Sequence, residues 1–423
     1  MKERMKRIGC LLMTGAMVAA MSATPVLAEE NGAEIEPCTI YFMNNSTSSS
    51  MNDLYDHVVE AFNEEYPDIT VEIQTGASDY YSVLSTKINA GEVPDIFITM
   101  GYKDLETYGD YMYDFAEDED LKAVFDDLKE GYTAGVVASN GKICGVPYSL
   151  QGYGYVYNKA LFEQAGIESL PTTYDEMVAV CEKLEEAGIK AFANGYKEDW
   201  IYKHSFSAFV GESFESLEDM KQQLTDGTTT FSDLDKMDDM FNMLDLTLEY
   251  GVDKQLELDA ASALAQFATG EAAMMNQGNW STADCLAIDP DLQLGFIPEP
   301  IGNDASLSKL NVSGTGCYSI SKDTENFEAA KAFYMFMIDY MCTQEEGVNI
   351  MPMPMNKTDI SLLTDQLGLA ALNAENVRGW AQNYWPSGFE NEFGTLLQEY
   401  TAGSMTREEV LTELQVNWDK LSK

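Results

Sequence analysis

From Thr39 onward the apolar positions change period several times. Residues 39–43 read as a strand and 52–66 repeat every three to four positions as a helix does. Residues 70–74, 80–90 and 95–99 continue as strand, helix and strand. This order predicts βαβ units on a mostly parallel sheet. In such sheets the loops beyond the carboxyl ends of the strands line a ligand crevice. Two loops are therefore singled out: 44–50, opening with Asn44 and Asn45, and 100–102, with Met100 and Tyr102. Asp95, which follows Pro94 at a strand start, reads as structural.

Residues 141–158 are apolar, aromatic and punctuated by glycines, and predict two extended segments with no helix between them. A hinge needs such a connection, because a few residues absorb the change in backbone angles. Gln151 and Tyr153 lie in it. A second set of elements follows. Thr173 and Glu176 form a capping box ahead of a helix striped by Met177, Val180, Cys181 and Leu184, which Gly188 ends. A short strand covers 190–193, and Asp199 and Trp200 open the next helix. The polar stretch 225–239 predicts a surface loop. A helix ends at Leu264, Phe267 and Ala268, and 272–275 read as a buried strand. Gly278, Asn279 and Trp280 then set an indole on a turn.

The remaining chain continues the alternation. It predicts a strand at 293–297, an extended crossing carrying Gly314, Thr315 and Gly316, and a strand at 317–321. A helix striped by Ala329, Phe333, Phe336 and Tyr340 comes next. The alternating prolines of 351–355 force extended backbone and predict a third crossing. Trp385 stands before Pro386 in a loop. The last helix, capped by Thr406 and Glu409, is striped by Val410, Leu411, Leu414, Trp418 and Leu421, with Trp418 in the core.

Length and composition narrow the picture. A chain of 423 residues exceeds the roughly 250–300 that one core supports, so two domains are expected. Lys2, Arg4, Lys6 and Arg7, an apolar run over 8–20 and the sequence Val26-Leu27-Ala28 read as a secretory signal peptide, residues 1–28, cut after Ala28. Thr14, Gly15, Ser22, Thr24 and Pro25 interrupt it short of the ~20 apolar residues a membrane span needs. Neither Cys10 nor Cys38 is placed for lipid attachment. The sequence thus predicts a secreted, extracytoplasmic protein.

Removal of those residues leaves 21 basic and 70 acidic side chains, a net charge of −49. That field repels nucleic acid and anionic lipid, and disfavours an anionic ligand unless the cleft has basic groups of its own. Six cysteines remain, Cys38, Cys144, Cys181, Cys285, Cys317 and Cys342, none in a Cys-x-x-Cys pair. With His57 and His204 as the only histidines, no zinc-ligand spacing is present. Neither metal nor cofactor is expected, and disulfides or isolated thiols both remain open. Gly314 and Gly316 alone, without a third glycine or an acidic residue, do not make a dinucleotide site.

Trp280 is the leading binding residue, because a strand end, a glycine permitting close backbone approach and a polar neighbour meet there. A pyranose has an apolar face and a ring of hydroxyls, so it needs an aromatic plane beneath and planar polar groups at its edge. Trp280, Trp200, Tyr102 and Tyr153 suit the first task; Asn45, Gln151, Asp199 and Asn279 suit the second. Asn44, Met100, Gly278, Gly314, Thr315 and Trp385 complete the candidate set.

The chain resembles the extracellular solute-binding proteins of carbohydrate ABC importers, the maltose and multiple-sugar type. The likeness rests on Gly91-Glu-Val-Pro-Asp-Ile96, Gly145-Val-Pro-Tyr148 with Tyr155-Val-Tyr-Asn-Lys159, and Leu170-Pro-Thr-Thr-Tyr-Asp-Glu176. It extends through Phe267-Ala-Thr-Gly-Glu-Ala-Ala-Met274, Gly278-Asn-Trp280 and Ser313-Gly-Thr-Gly316, and so covers nearly all of 39–423. It implies an α/β, two-lobed periplasmic-binding-protein fold of type II, each lobe a mostly parallel sheet flanked by helices. Lobe 1 would comprise 29–150 and 315–352, and lobe 2 153–311 and 357–423, with hinge crossings near 150–153, 311–316 and 351–356. The resemblance further implies a monomer that binds a small-molecule carbohydrate and delivers it to a membrane ABC permease. Thr99 and Tyr102 stand where maltose-type proteins often place an acidic or aromatic residue, which leaves the sugar open. The lipidation motif of many relatives is missing.

Other readings compete. A secreted glycoside hydrolase needs two carboxylates ~5–10 Å apart, and nothing singles out such a pair among 71 acidic residues. Nor does the strand–helix order suggest an eight-repeat barrel. The same fold would also serve a sensor kinase, or hold a non-sugar solute such as a polyamine.

Overall fold

The computed structural model describes residues 35–423 except 47, 77–79, 130, 131, 134 and 363–376. The expected signal peptide, 1–28, lies outside the described residues. The first strands in chain order are β1 (Cys38–Asn44), β2 (Ile69–Thr75), β3 (Ile96–Thr99), β4 (Ser149–Asn158) and β5 (Lys190–Phe192). They are followed by β6 (Ala272–Gly278), β7 (Leu294–Ile297), β8 (Leu310–Thr315), β9 (Cys317–Ile320) and β10 (Val377–Arg378). They make two sheets, one ordered β2-β1-β3-β9 and one ordered β10-β8-β4-β6-β5 with β7 against β4.

The first sheet follows the predicted pattern. β1 runs parallel to both β2 and β3, and β9 closes the edge antiparallel to β3. The chain leaves β1 toward β2 and returns to β3 on its other side, so the loops after β1 and β3 hang together at the switch point. The helix Ser49–Glu65 covers this sheet because Met51, Leu54, Tyr55, Val58 and Phe62 share one buried stripe. Ser48 accepts a hydrogen bond from the Met51 amide at its start. Phe62 meets Phe333 of the helix Phe327–Thr343 edge to face at 5.1 Å.

The second sheet departs from the expectation of a mostly parallel one. β5 and β6 are parallel, as are β8 and β10, but β4 runs antiparallel to β6, β7 and β8. The reason is β4 itself, ten residues buried along their whole length, flanked by β6 on one side and by β8 then β7 on the other. No crossover helix returns it to a parallel neighbour.

Beneath this sheet lies an apolar core in which Trp385, Phe389, Phe393 and Trp418 are all buried. Part of 225–239, expected as a surface loop, belongs to that core. Phe231 is buried in a short 3₁₀ turn against Trp418 and Phe389, and Met237 opens a helix. Its polar composition hid one aromatic anchor. Among the described residues the six cysteines are free thiols, five of them buried. Among the described residues no helix is long and apolar enough to cross a membrane.

Three segments join the sheets side by side. β4 pairs with β8 from Ser149↔Thr315 to Tyr153↔Asn311, and the Leu150 amide also donates to the Pro352 carbonyl at 2.6 Å. Gly316 alone separates β8 in one sheet from β9 in the other. Its φ of +68° suits glycine, and a side chain there would run into the Tyr148 ring and the Thr99 carbonyl. The third segment does not leave the first sheet at 357 as expected. Residues 356–359 still bond to Asp127, Asp339 and Cys342.

Candidate functional site

Trp200 and Trp280 both follow the carboxyl ends of parallel neighbours, β5 and β6, and converge on one groove of about 610 Å³. Ser48, from the loop after β1 in the other sheet, lines the facing wall. A polar contact ties the walls together: Ser49 and Ser50 donate to the Asp284 carboxylate at 3.2 and 2.7 Å. Both indoles are half-buried and anchored at their nitrogens. Trp280 Nε1 donates to Gln277 Oε1 at 2.9 Å, and Trp200 Nε1 donates to the Glu198 carboxylate. Those bonds leave the ring faces for apolar contact. Gly278 permits the fold-back, since a side chain there would occupy the space of the Trp280 ring.

His204 holds the aromatic cluster together. Its ring lies 5.5 Å from Trp200, 5.6 Å from Trp280, 5.1 Å from Trp380 and 5.6 Å from Tyr153, close to perpendicular to most of them. Burial, with the nearby Lys203 ammonium, pushes its pKa down to about 3, so the imidazole is neutral. Nδ1 then carries the proton and donates to the Trp200 carbonyl at 2.9 Å. Nε2 is left as an acceptor.

On its other side His204 borders a second, smaller space of about 50 Å³. Met100 and Tyr102 reach it from the loop after β3, and Trp380 and Asn383 from the segment that follows β10. Tyr102 lies 3.4 Å from Ser313 Oγ through its hydroxyl and 5.9 Å from the Tyr384 ring. An ion pair between Lys103 and Glu390 spans the two walls here.

The structure thus gathers Trp200, Trp280 and Asp199 in the groove, and Met100 and Tyr102 at the smaller space. Asn45 stands beside them, its amide 3.7 Å from the Met100 sulfur. Other candidates have structural tasks. Asn44 is buried and binds the Ser46 amide and the Thr75 hydroxyl, shaping the loop. Asn279 is buried and clamps β4, accepting from the Gly152 amide at 2.9 Å and donating to the Leu150 carbonyl at 3.1 Å. Tyr153 is buried under His204, its hydroxyl 2.9 Å from Ser207 Oγ. Gln151, Gly314 and Thr315 belong to the β4–β8 ladder.

Trp385 is corrected outright: only 1% exposed, it packs on Phe389 and Phe393 in the core. His204, Trp380, Lys203 and Asp284 were missed. His204 lies four residues after Trp200 on one helix, a spacing that puts both on one face. Trp380 follows Gly379 much as Trp280 stands near Gly278, the one local signal it offers. Among the described residues no cluster of three or more metal-ligating side chains occurs.

Comparisons with known proteins agree with this fold. Residues 46–340 match the family described as bacterial extracellular solute-binding protein. The melibiose/raffinose/stachyose-binding protein MelE of Bacillus subtilis is 23% identical over 93% of this chain and 92% of its own. The multiple sugar-binding protein of Streptococcus mutans is 25% identical, with 93% of each chain covered. Among solved structures, RafE in complex with raffinose superposes with a TM-score of 0.78 at 21% identity, covering 91% of this chain and all of the other. A sugar transporter from Bacillus licheniformis in complex with stachyose gives 0.74, also at 21%, over 91% of this chain and 100% of that one.

Proposed function

Because the chain belongs to the bacterial extracellular solute-binding proteins, and has their two-lobed α/β fold, we propose that its groove captures a carbohydrate and presents it to a membrane ABC permease. The names of MelE and of the multiple sugar-binding protein support an oligosaccharide. The observation that carries the reading is the pair of indoles, Trp200 and Trp280, anchored by their nitrogens on one side of a groove whose other side carries Ser48, from the loop after β1 of the first sheet. A sugar ring lying on such a face buries its C–H side, while Asp199 and Asp284 on the groove's lining meet its hydroxyls. The 610 Å³ volume lies within the ~300–1,000 Å³ typical of ligand sites.

In this reading the two sheets are lobes, the crossings at β4, β8 and 351–356 form the hinge, and ligand favours the closed arrangement. The protein acts as an exported monomer and returns its ligand unchanged. Thermal shift against raffinose, stachyose and other oligosaccharides tests it. A ligand at ~100 times its dissociation constant adds about 2.7 kcal/mol of stability. Recovery of intact sugar supports binding; cleavage products would move the protein to the hydrolases.

A further inference from the structure

Two neutral donors at the smaller pocket have nothing to donate to. Trp380 leads into the 3₁₀ turn Ala381–Tyr384 and Gln382 lies within it; both line that space, and they are only 1% and 7% exposed. Among the described residues neither Trp380 Nε1 nor Gln382 Nε2 meets an acceptor. The other end of the Gln382 amide is taken. Its Oε1 accepts from the Ser207 hydroxyl, whose oxygen lies 2.9 Å from the Tyr153 hydroxyl. Trp380 is held by rings, with His204 at 5.1 Å, Tyr153 at 5.3 Å and Trp280 at 6.3 Å. A buried N–H without an acceptor is costly, and native proteins rarely leave one unmet.

Charge does not account for the space. Lys103 pairs with Glu390 there, and Glu390, Asp199 and Asp104 all favour the charged form of Lys203. What remains unmet is neutral and calls for an oxygen that accepts. His204 borders the same space and calls for a donor, because its Nδ1 is committed to the Trp200 carbonyl and Nε2 is the acceptor. A hydroxyl answers both demands, since it accepts through its lone pairs and donates one proton. An ether or carbonyl oxygen answers only the first, and an ammonium only the second. Size narrows the choice further. About 50 Å³ exceeds the ~30 Å³ share of one water, which admits a short arm but not a second sugar ring. The hydroxymethyl group of a hexose is such an arm, standing off its ring by one rotatable bond. Trp380 touches Trp280, and His204 touches both Trp200 and Trp280, so pocket and groove share a wall.

We propose that the smaller pocket is the subsite for the hydroxymethyl group of a hexopyranose, its oxygen accepting from Trp380 Nε1 and Gln382 Nε2 and its hydroxyl donating to His204 Nε2. This rests on the carbohydrate reading and specifies its substrate class, hexoses over 6-deoxyhexoses and pentoses. Calorimetric titration of the intact protein tests it, with raffinose, whose galactose carries its one free pyranose hydroxymethyl group, and with D-galactose and D-glucose, each beside its 6-deoxy analogue. The tightest binder of the three is expected to exceed its analogue by at least ~10-fold, because the analogue leaves the buried donors unpaired. Trp380→Phe keeps a ring and removes the N–H, and is expected to shrink that ratio at least ~3-fold. A purely structural role for Trp380 would weaken sugar and analogue alike, and that result overturns the proposal. Should the variant fail to fold, the comparison of sugar and analogue on the unaltered protein still decides. Equal or tighter binding of the analogue overturns the proposal and leaves a trapped water as the occupant. Tighter binding of xylotriose, which has no hydroxymethyl group, than of all three sugars also overturns it while the carbohydrate reading stands; if no saccharide binds, both fall.

Discussion

Trp280 shows how much one residue's surroundings reveal. Its turn, its glycine and the strand before it were all legible, because close backbone approach and a half-exposed ring leave local marks. Replacing it with alanine removes the apolar platform, and the dissociation constant for a bound oligosaccharide is expected to rise roughly 30-fold, about 2 kcal/mol, by calorimetry. Trp385 was misread because Pro386 and Gly388 mark a loop. The counter-signal lay in spacing: Trp385, Phe389, Phe393 and Leu397 recur every four residues and are all buried. Glu299 was invisible to any pattern. It is buried, accepts from the Tyr155 hydroxyl at 2.8 Å, and burial raises its pKa to about 8. Between its unfolded value near 4.5 and about 8, the folded chain holds a proton that the unfolded chain has lost. Stability from this group is therefore present below pH 4.5 and lost as pH rises through 8. Glu299→Gln is expected to flatten that slope and raise the urea midpoint at pH 8 relative to the parent.

At the scale of elements, periodicity located the strands and helices well and failed on direction. The capping box at Thr406 and Glu409 forms with both arms, and the stripe behind it buries Val410, Leu414 and Trp418. A strand's partners, however, lie far away in sequence, so nothing local told that β4 would run against β6, β7 and β8. The connection through Gly316 was legible as a glycine, though its reason was not. It needs both a left-handed backbone and an absent side chain, so Gly316→Ala is expected to cost about 2–3 kcal/mol in urea unfolding. Phe231 anchors a 3₁₀ turn in the core. Phe231→Ala is expected to lower stability by about 3–5 kcal/mol while leaving sugar affinity within ~2-fold, since the turn lies away from the groove.

Over the whole molecule, the excess of acidic side chains works against compactness. Self-repulsion is screened over a Debye length of about 8–10 Å at physiological salt, so the thermal midpoint is expected to climb as NaCl is raised from low concentrations. The free thiols carry no covalent constraint, and refolding in the presence of reductant is expected to match refolding without it. One arrangement links these scales. Asn279 grips the backbone of β4 at Leu150 and Gly152, and its next residue is Trp280. Whatever tilts that indole therefore pulls on the backbone of β4 through a single peptide bond, so the groove wall and the longest buried strand of the sheet are mechanically linked.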